Sequence, residues 1–484
     1  MNLFQNGYEC YEKIKIFYNM FFHESDKILV FSNFNYDEEV INVYTYIDYY
    51  GTLYFDDYYY NYKRTNEKMD KKAFEAAITK GFCHAALKIK NINLPWGVMS
   101  GIRPAKNVRE FFESGLKKDE VIKELKNLYE VSDEKVDLSM TVAENEKKLL
   151  SEIEKNSVSV YIGIPFCPTR CLYCSFISSD IKITGKYLPE FVKLLKEEIK
   201  KTKEVIDNCG FFIDNIYIGG GTPTTLNEEQ LEDLLKCVNK YLVSDKLKEF
   251  TLEAGRPDTI TYDKLKIMKE NNVNRISINP QSMNDITLEK VGRAHNTEMV
   301  KNVYNEARKF NFSCINMDLI AGLPDESPEM FYYSLDEVIK LDPENITVHS
   351  MCVKRAADLK KKDIELQKAE NMNRMLSYTQ KRMKETGRIP YYMYRQKNIS
   401  GNLENVGYSK PLNMSTYNIN IMEEMQTIIA LGGGGVTKLV KGDRIERIFN
   451  FKNPDEYIKR FDEILKRKDE IKEFFKGGIK NDDC

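Results

Sequence analysis

The sequence of 484 residues lacks an excess of either charge: 72 Lys plus Arg stand against 74 Asp plus Glu, a formal net charge of −2. Nothing in that balance attracts a polyanion, so nucleic acid is not expected as the main partner. Long hydrophobic runs are also missing. No stretch approaches the roughly 18 apolar residues of a membrane helix, and no membrane span is expected. The opening residues Met1-Asn2-Leu3-Phe4-Gln5-Asn6-Gly7 have neither the basic region nor the apolar core of a signal peptide, which points to a cytoplasmic protein. Low-complexity tracts are absent too. In that setting the ten cysteines are not a disulfide framework. Seven are scattered (Cys10, Cys83, Cys209, Cys237, Cys314, Cys352 and Cys484) and read as small buried hydrophobes.

What is present organises itself in three parts. Residues 1–156 show no evident chemistry. A β-branched and aromatic run over 41–50, then Gly51 and Leu53-Tyr54-Phe55, reads as a hairpin. The tyrosines at 58–60 and 62 continue it as sheet surface and core rather than as a stacking site. Residues 67–90 read as a helix and then an extended piece, and 118–155 as a charged helical stretch. From residue 157 the texture changes. Short apolar runs at 158–164, 213–218, 250–253, 275–278, 314–320 and 346–349 alternate with helical patterns. Leu231, Leu234, Leu235 and Val238 show the spacing of one buried helix face. Six such units predict an α/β fold on a parallel sheet whose strands, covered on both sides, are continuously apolar. Six are too few for the closed eight-unit barrel, so an open partial (β/α)6 barrel over 157–365 is expected. Residues 366–484 are expected to form a C-terminal cover domain, and 1–156 an N-terminal α+β domain.

Three cysteines are not scattered. Cys167, Cys171 and Cys174 stand in C-x3-C-x2-C order on a short loop after the first strand. Thiolates this close suit a soft metal centre. Structural zinc wants four protein ligands, and the nearest histidines, His84 and His295, are far off in sequence. A [4Fe–4S] cluster normally takes four cysteines. With three, one iron stays open to a small chelating molecule. A zinc loop with a distant fourth ligand, or three core thiols, is the competing explanation. Tyr161, Phe166 and Tyr173 supply aromatic bulk of the kind that shields a cluster.

Other chemistry-bearing residues fall at successive strand ends, where parallel α/β folds bind ligands. Gly219-Gly220-Gly221-Thr222-Pro223-Thr224 follows the second strand, and glycines allow close approach of a ligand. Glu253 ends the third strand; a carboxylate in an apolar strand needs a partner, and an ion pair within the fold would explain it equally well. Gln281 follows the fourth strand, and Arg293 in Gly292-Arg293-Ala294-His295 could clamp a carboxylate with a guanidinium fork. Asp318 lies in the fifth strand and His349 at the end of the sixth.

The cysteine loop resembles the cluster-binding loop of the radical S-adenosylmethionine (SAM) enzymes. With the glycine turn, Arg275-Ile276-Ser277-Ile278 with its Gln281, Gly292-Arg293-Ala294-His295 and Asp318-Leu319-Ile320-Ala321-Gly322-Leu323-Pro324, it resembles the oxygen-independent coproporphyrinogen III oxidases and their relatives. The long N-terminal part, Gly101-Ile102-Arg103-Pro104 and Gly401-Asn402-Leu403-Glu404-Asn405 are most similar to the HemZ-type coproporphyrinogen dehydrogenases. The resemblance implies that Cys167, Cys171 and Cys174 hold a [4Fe–4S] cluster. It implies that Tyr161, Tyr173, Gly220, Gly221, Thr222, Glu253, Gln281, Arg293 and Asp318 line a SAM pocket. It further implies a tetrapyrrole substrate, an electron donor such as flavodoxin or ferredoxin, and oxidative decarboxylation of coproporphyrinogen III to protoporphyrinogen IX in haem biosynthesis. Arg355, Arg395 and Lys397 are candidate rim contacts for the substrate carboxylates. Alternatives are another radical SAM tetrapyrrole reaction, such as anaerobic haem methylation with ring opening, or haem carriage. Two departures stand out. Gly163 occupies a position where this branch often has His, and Tyr417-Asn418-Ile419-Asn420-Ile421-Met422 lacks the His, Tyr and Trp of the haem chaperones.

Overall fold

The structure, a computed structural model, describes residues 1–23, 25–174, 179–352, 367–396 and 400–476. The chain divides into two compact units: Met1–Ala143 with Lys368–Asn373 and Met393–Glu404, and Glu144–Gln367 with Arg374–Tyr392 and Asn405–Cys484.

The first unit holds β1 (Asn2–Asn6), α1 (Tyr11–Phe21), β2 (Ile28–Asp37), β3 (Val40–Tyr49), β4 (Thr52–Asn61), α2 (Glu67–Leu87), α3 (Pro104–Glu113) and α4 (Lys118–Asn127). The strands form one sheet in that order. The hairpin expected at 41–55 is the β3–β4 pair. It turns at Tyr50 and Gly51, both with positive φ, which is the backbone a tight two-residue hairpin needs. Ile41, Val43 and Ile47 are wholly buried, while Tyr44 between them is exposed, so the sheet is covered on one face only. The helix expected at 67–90 ends at Leu87 and continues as turn, not as extended chain. The charged stretch at 118–155 is two helices, α4 and α5 (Asp133–Leu150), broken where Glu130 takes a left-handed backbone.

Trp96 is buried in this unit. Its indole donates to Glu404 Oε2 at 2.7 Å, and Lys135 Nζ meets Glu404 Oε1 at 2.7 Å. Lys135 and Glu404 are each 1% exposed, so each is the other's compensation for lost water. Arg395, a candidate rim contact, is 2% exposed instead. Its guanidinium lies over the Trp96 ring, and its Nε donates to Gly101 O at 2.9 Å. The Gly101–Pro104 turn is thus an anchor for this buried arginine. Arg355 and Lys397 lie outside the described residues.

The second unit is built on β5 (Ser157–Ile164), the two-residue pair β6 (Phe166–Cys167) and β7 (Ser179–Asp180), α6 (Ile181–Thr184), α7 (Leu188–Asn208), β8 (Phe212–Gly220), α8 (Glu228–Leu242), β9 (Glu249–Glu253), α9 (Tyr262–Glu270), β10 (Arg275–Ser277), α10 (Asp285–Lys290), α11 (Thr297–Lys309), β11 (Cys314–Ala321), α12 (Pro328–Leu341) and β12 (Asn345–Ser350). Later in the chain come α13 (Ala369–Glu385), β13 (Ile389–Arg395) and β14 (Glu404–Ser409), whose residues 369–373, 393–395 and 404 belong to the first unit, and then α14 (Thr416–Glu423), β15 (Ile428–Gly432), β16 (Val436–Lys441), β17 (Arg444–Phe449), α15 (Pro454–Lys459) and α16 (Phe461–Lys476). Strands β5, β8, β9, β10, β11 and β12 are neighbours in that order, all parallel. This is the expected open six-unit α/β barrel. The strands after residue 366 extend the same sheet at both edges: β14 pairs antiparallel with β12, and β15 pairs parallel with β5.

The strands are not continuously apolar. Val158, Val160, Ile162 and Ile164 are buried on one face of β5, while Ser159, Tyr161 and Gly163 alternate with them. In register across the sheet stand Ser159 with Asn215, Tyr161 with Tyr217, Gly163 with Gly219, Glu253 with Ser277, and Ser277 with Asn316. One face therefore packs on helices and the other lines a polar lumen. At the amino ends of the strands α14 closes that lumen. Ser415 Oγ donates to Glu249 Oε1 at 2.6 Å, Thr416 Oγ1 donates to Asn215 Oδ1 at 2.9 Å, and Tyr417 stacks on Tyr217 at 4.4 Å.

Candidate functional site

The opposite end of the lumen carries the thiol loop. Pro165 turns the chain out of β5, and Phe166 is wholly buried with its ring edge-on to Phe191 of α7. Leu172 N donates to Val291 O at 3.0 Å, and Cys174 N to Cys171 O at 3.0 Å. Cys167 and Cys171 are buried, Cys174 is half-buried, and none is in a disulfide. The glycine turn after β8 is laced to this loop: Gly221 N donates to Ile164 O and Thr222 N to Phe166 O, both at 2.8 Å. Thr222 Oγ1 lies 3.4 Å from Cys167 Sγ. A Cβ on Gly221 would fall 2.6 Å from Phe166 O and 3.0 Å from Cys167 Sγ, so glycine is required by close approach. Gly220 has φ +111, and a Cβ there would fall 3.1 Å from Ile164 N and O and 3.4 Å from the Tyr161 hydroxyl.

The lumen side continues from here. Tyr217 OH donates to Glu253 Oε1 at 2.5 Å. Burial, with the nearby Asp318 charge, pushes the Glu253 carboxyl up to about 7 despite that bond. Burial likewise pushes the Tyr161 and Tyr173 hydroxyls up. Asp318 Oδ1 accepts from Asn316 Nδ2 at 2.7 Å, and its Oδ2 lies 3.6 Å from His349 Nε2. Gln281 is buried in a left-handed backbone (φ 67), exchanging backbone hydrogen bonds with Asp318 and Ile320 at 2.9 Å. Arg293 donates through Nη2 to Asn279 O at 3.1 Å and through Nη1 to Gly255 O at 3.4 Å, leaving Nε buried with no partner. Its fork is thus partly engaged by backbone carbonyls. Tyr173 lies near both Arg293 and Cys171. These contacts connect the nine residues expected at a SAM pocket to one another or to the thiol loop.

Among the described residues no three His, Cys, Asp or Glu side chains converge on a single-ion position. An iron–sulfur cube does not ask for that, because each thiolate binds a different iron.

The Radical SAM superfamily model matches residues 161–338. The chain is 40% identical over 384 residues to the oxygen-independent coproporphyrinogen-III oxidase-like protein HemZ of Bacillus subtilis, covering 78% of this chain and 77% of that protein. The chain belongs to this radical SAM family. Its cofactors are a [4Fe–4S] cluster and SAM. The heme chaperone HemW of Bacillus subtilis is 38% identical over a shorter span, 40% of this chain and 50% of that protein. Coproporphyrinogen III oxidase HemN of Escherichia coli shares the fold at a TM-score of 0.53 and 22% identity, over 66% of this chain and 72% of that one. Among the described residues no helix is long and apolar enough to cross a membrane.

The residues of this radical SAM protein fit both cofactors. Three thiols sit on one loop without a fourth, the Gly221 contact keeps side chains away from Cys167, and the buried Arg293 Nε wants an acceptor. Position 163 is closed to a His. A Cβ there would fall 2.7 Å from Gly433 O, because β15 and the following glycines run against β5. The sequence reading missed Tyr217, Tyr417 and Arg256. The signal for Tyr217 was the polar alternation inside an otherwise apolar strand; Tyr417, on α14, carried none, because the ring it stacks on is 200 residues away in sequence. For Arg256 it was Ala254-Gly255-Arg256-Pro257-Asp258, directly beyond Glu253.

Proposed function

We propose that this protein carries out oxygen-independent oxidative decarboxylation of coproporphyrinogen III to protoporphyrinogen IX, with the cluster on Cys167, Cys171 and Cys174. The observation that carries the reading is the 40% identity to HemZ over most of both chains. When bound, the cluster supplies the electron that opens SAM to a carbon radical, chemistry that no side chain provides. The chain's own residues bind and orient. The Gly219–Thr222 backbone offers room for a ligand beside the thiol loop, and Arg293 Nε suits a carboxylate. Glu253, close to half-protonated near neutrality, is suited to accept from an ammonium or hydroxyl. Asp318, held by Asn316 and facing His349, suits a ribose hydroxyl. The buried walls around Phe166 and Tyr161 exclude water from the reacting region.

An anaerobic assay tests this. Reconstituted protein, reductant, SAM and coproporphyrinogen III should yield protoporphyrinogen IX and CO2. Deoxyadenosine without decarboxylation would discard the reading and leave another radical SAM tetrapyrrole reaction. Tight haem binding without SAM cleavage would favour haem carriage, as in the heme chaperone HemW.

A further inference from the structure

Arg256 sits between β9 and α9 and is 3% exposed. Its guanidinium has two sides. Nε and Nη2 donate to the two oxygens of Asp258, each at 2.9 Å. That bidentate pair fixes the plane of the group. The other side faces the thiol loop: Nη2 donates to Thr169 Oγ1 at 3.1 Å, Nη1 to Thr169 O at 3.3 Å and Nη1 to Cys171 Sγ at 3.5 Å. Asp258 is flanked in turn by His295, whose Nδ1 lies 3.8 Å from Asp258 Oδ1. His295 is itself held by Nε2 against Pro280 O at 3.3 Å. A cation is therefore built into the fold at one thiol, locked in orientation by an acid from its own turn.

We infer that Arg256 is a positioning residue that sets the reduction potential of the cluster through its hydrogen bond to Cys171, with Asp258 holding its charge in partial balance. The inference rests on the cluster assignment proposed above. The step affected is one-electron reduction of the cluster by an external low-potential donor; no bond forms or breaks and no proton moves. Adding an electron increases the negative charge shared with the thiolate sulfurs. A fixed N–H donor and positive charge stabilise the reduced state more than the oxidised one and so raise the potential. A purely structural role, tying Thr169 to the turn, would leave the potential unchanged.

The test is an anaerobic redox titration followed by electron paramagnetic resonance, on the full chain with iron and sulfide counted first. Arg256→Gln should keep its cluster and lower the potential by at least a tenfold change in the reduction equilibrium, 59 mV for one electron. Arg256→Lys, which keeps the charge, should recover most of that shift. Asp258→Asn, which leaves the guanidinium uncompensated, should move the potential the opposite way, upward. A fully loaded Arg256→Gln with the wild-type potential overturns the inference and leaves the cluster assignment intact. If Arg256→Gln fails to load, a potential for Asp258→Asn at or below that of the wild type overturns it instead. Wild-type protein that takes up no cluster removes the assignment and the inference together.

Discussion

Two residues show how burial sets chemistry in this protein. Cys171 is buried, and Arg256 and Tyr173 lie beside it. Replacing Cys171 with Ala is expected to abolish the iron–sulfur absorption and SAM cleavage together; a variant retaining both would remove the ligand assignment. Glu326 is wholly buried after the Leu323-Pro324 turn. It accepts from Ser282 Oγ and Asn284 Nδ2 on one oxygen, and its other oxygen is buried without a partner. Burial pushes its carboxyl up to about 7 against the help of those two donors. The folded state therefore holds a proton that the unfolded chain releases near 4.5. Between those values the native state binds more protons, so stability falls as pH rises, by an amount on the order of 3 kcal/mol across the window. Glu326→Gln should flatten the decline of stability between about pH 5 and pH 8. Denaturant titrations at several pH values read this directly, and an unchanged slope would refute it. Ser282 follows Gln281, so the same network also braces that residue's left-handed backbone.

At the scale of elements the decisive contact is β15 on β5. Gly432 pairs with Gly163, and Gly433 N donates to Gly163 O at 3.0 Å. Gly432 has φ +78, and a Cβ there would fall 2.3 Å from Gly163 O. Its amide is caught from the far side by Glu198 Oε2 of α7 at 2.8 Å, and that carboxylate is itself held by Tyr457, Asn450 and Lys468. Helix α7, strand β15 and the end of β5 thus lock the backbone that leads into the cysteine loop. Gly432→Ala should cost about 2–4 kcal/mol, summing left-handed strain and overpacking, and lower iron content on reconstitution. Wild-type stability by urea titration would show that the two strands can separate freely. The same contact explains why position 163 carries no side chain.

At the scale of the whole molecule the C-terminal segment completes the barrel sheet and plugs its lumen. Ending the chain before residue 410 would strip β5 of β15, one of its two neighbours, and remove α14 from beneath Tyr217. The expected product is an aggregating chain with no cooperative melt, since an unpaired buried edge invites intermolecular pairing. A monodisperse truncated protein with a cooperative thermal transition would contradict this. Much of the molecule is written locally. The six strands and their helices follow from apolar runs and from i, i+3, i+4 spacing, as at Leu231, Leu234, Leu235 and Val238. The thiol loop follows from the spacing of three cysteines. The succession of elements and the three-cysteine loop are therefore legible along the chain, because periodicity and short spacings are properties of sequence neighbours. The tertiary structure alone decided that Arg395 is core rather than rim, that Arg256 reaches Cys171 and that Gly163 must be bare. Each of those depends on a partner far away in sequence, and distance along the chain carries no record of which backbone will lie within an ångström-scale gap of which other.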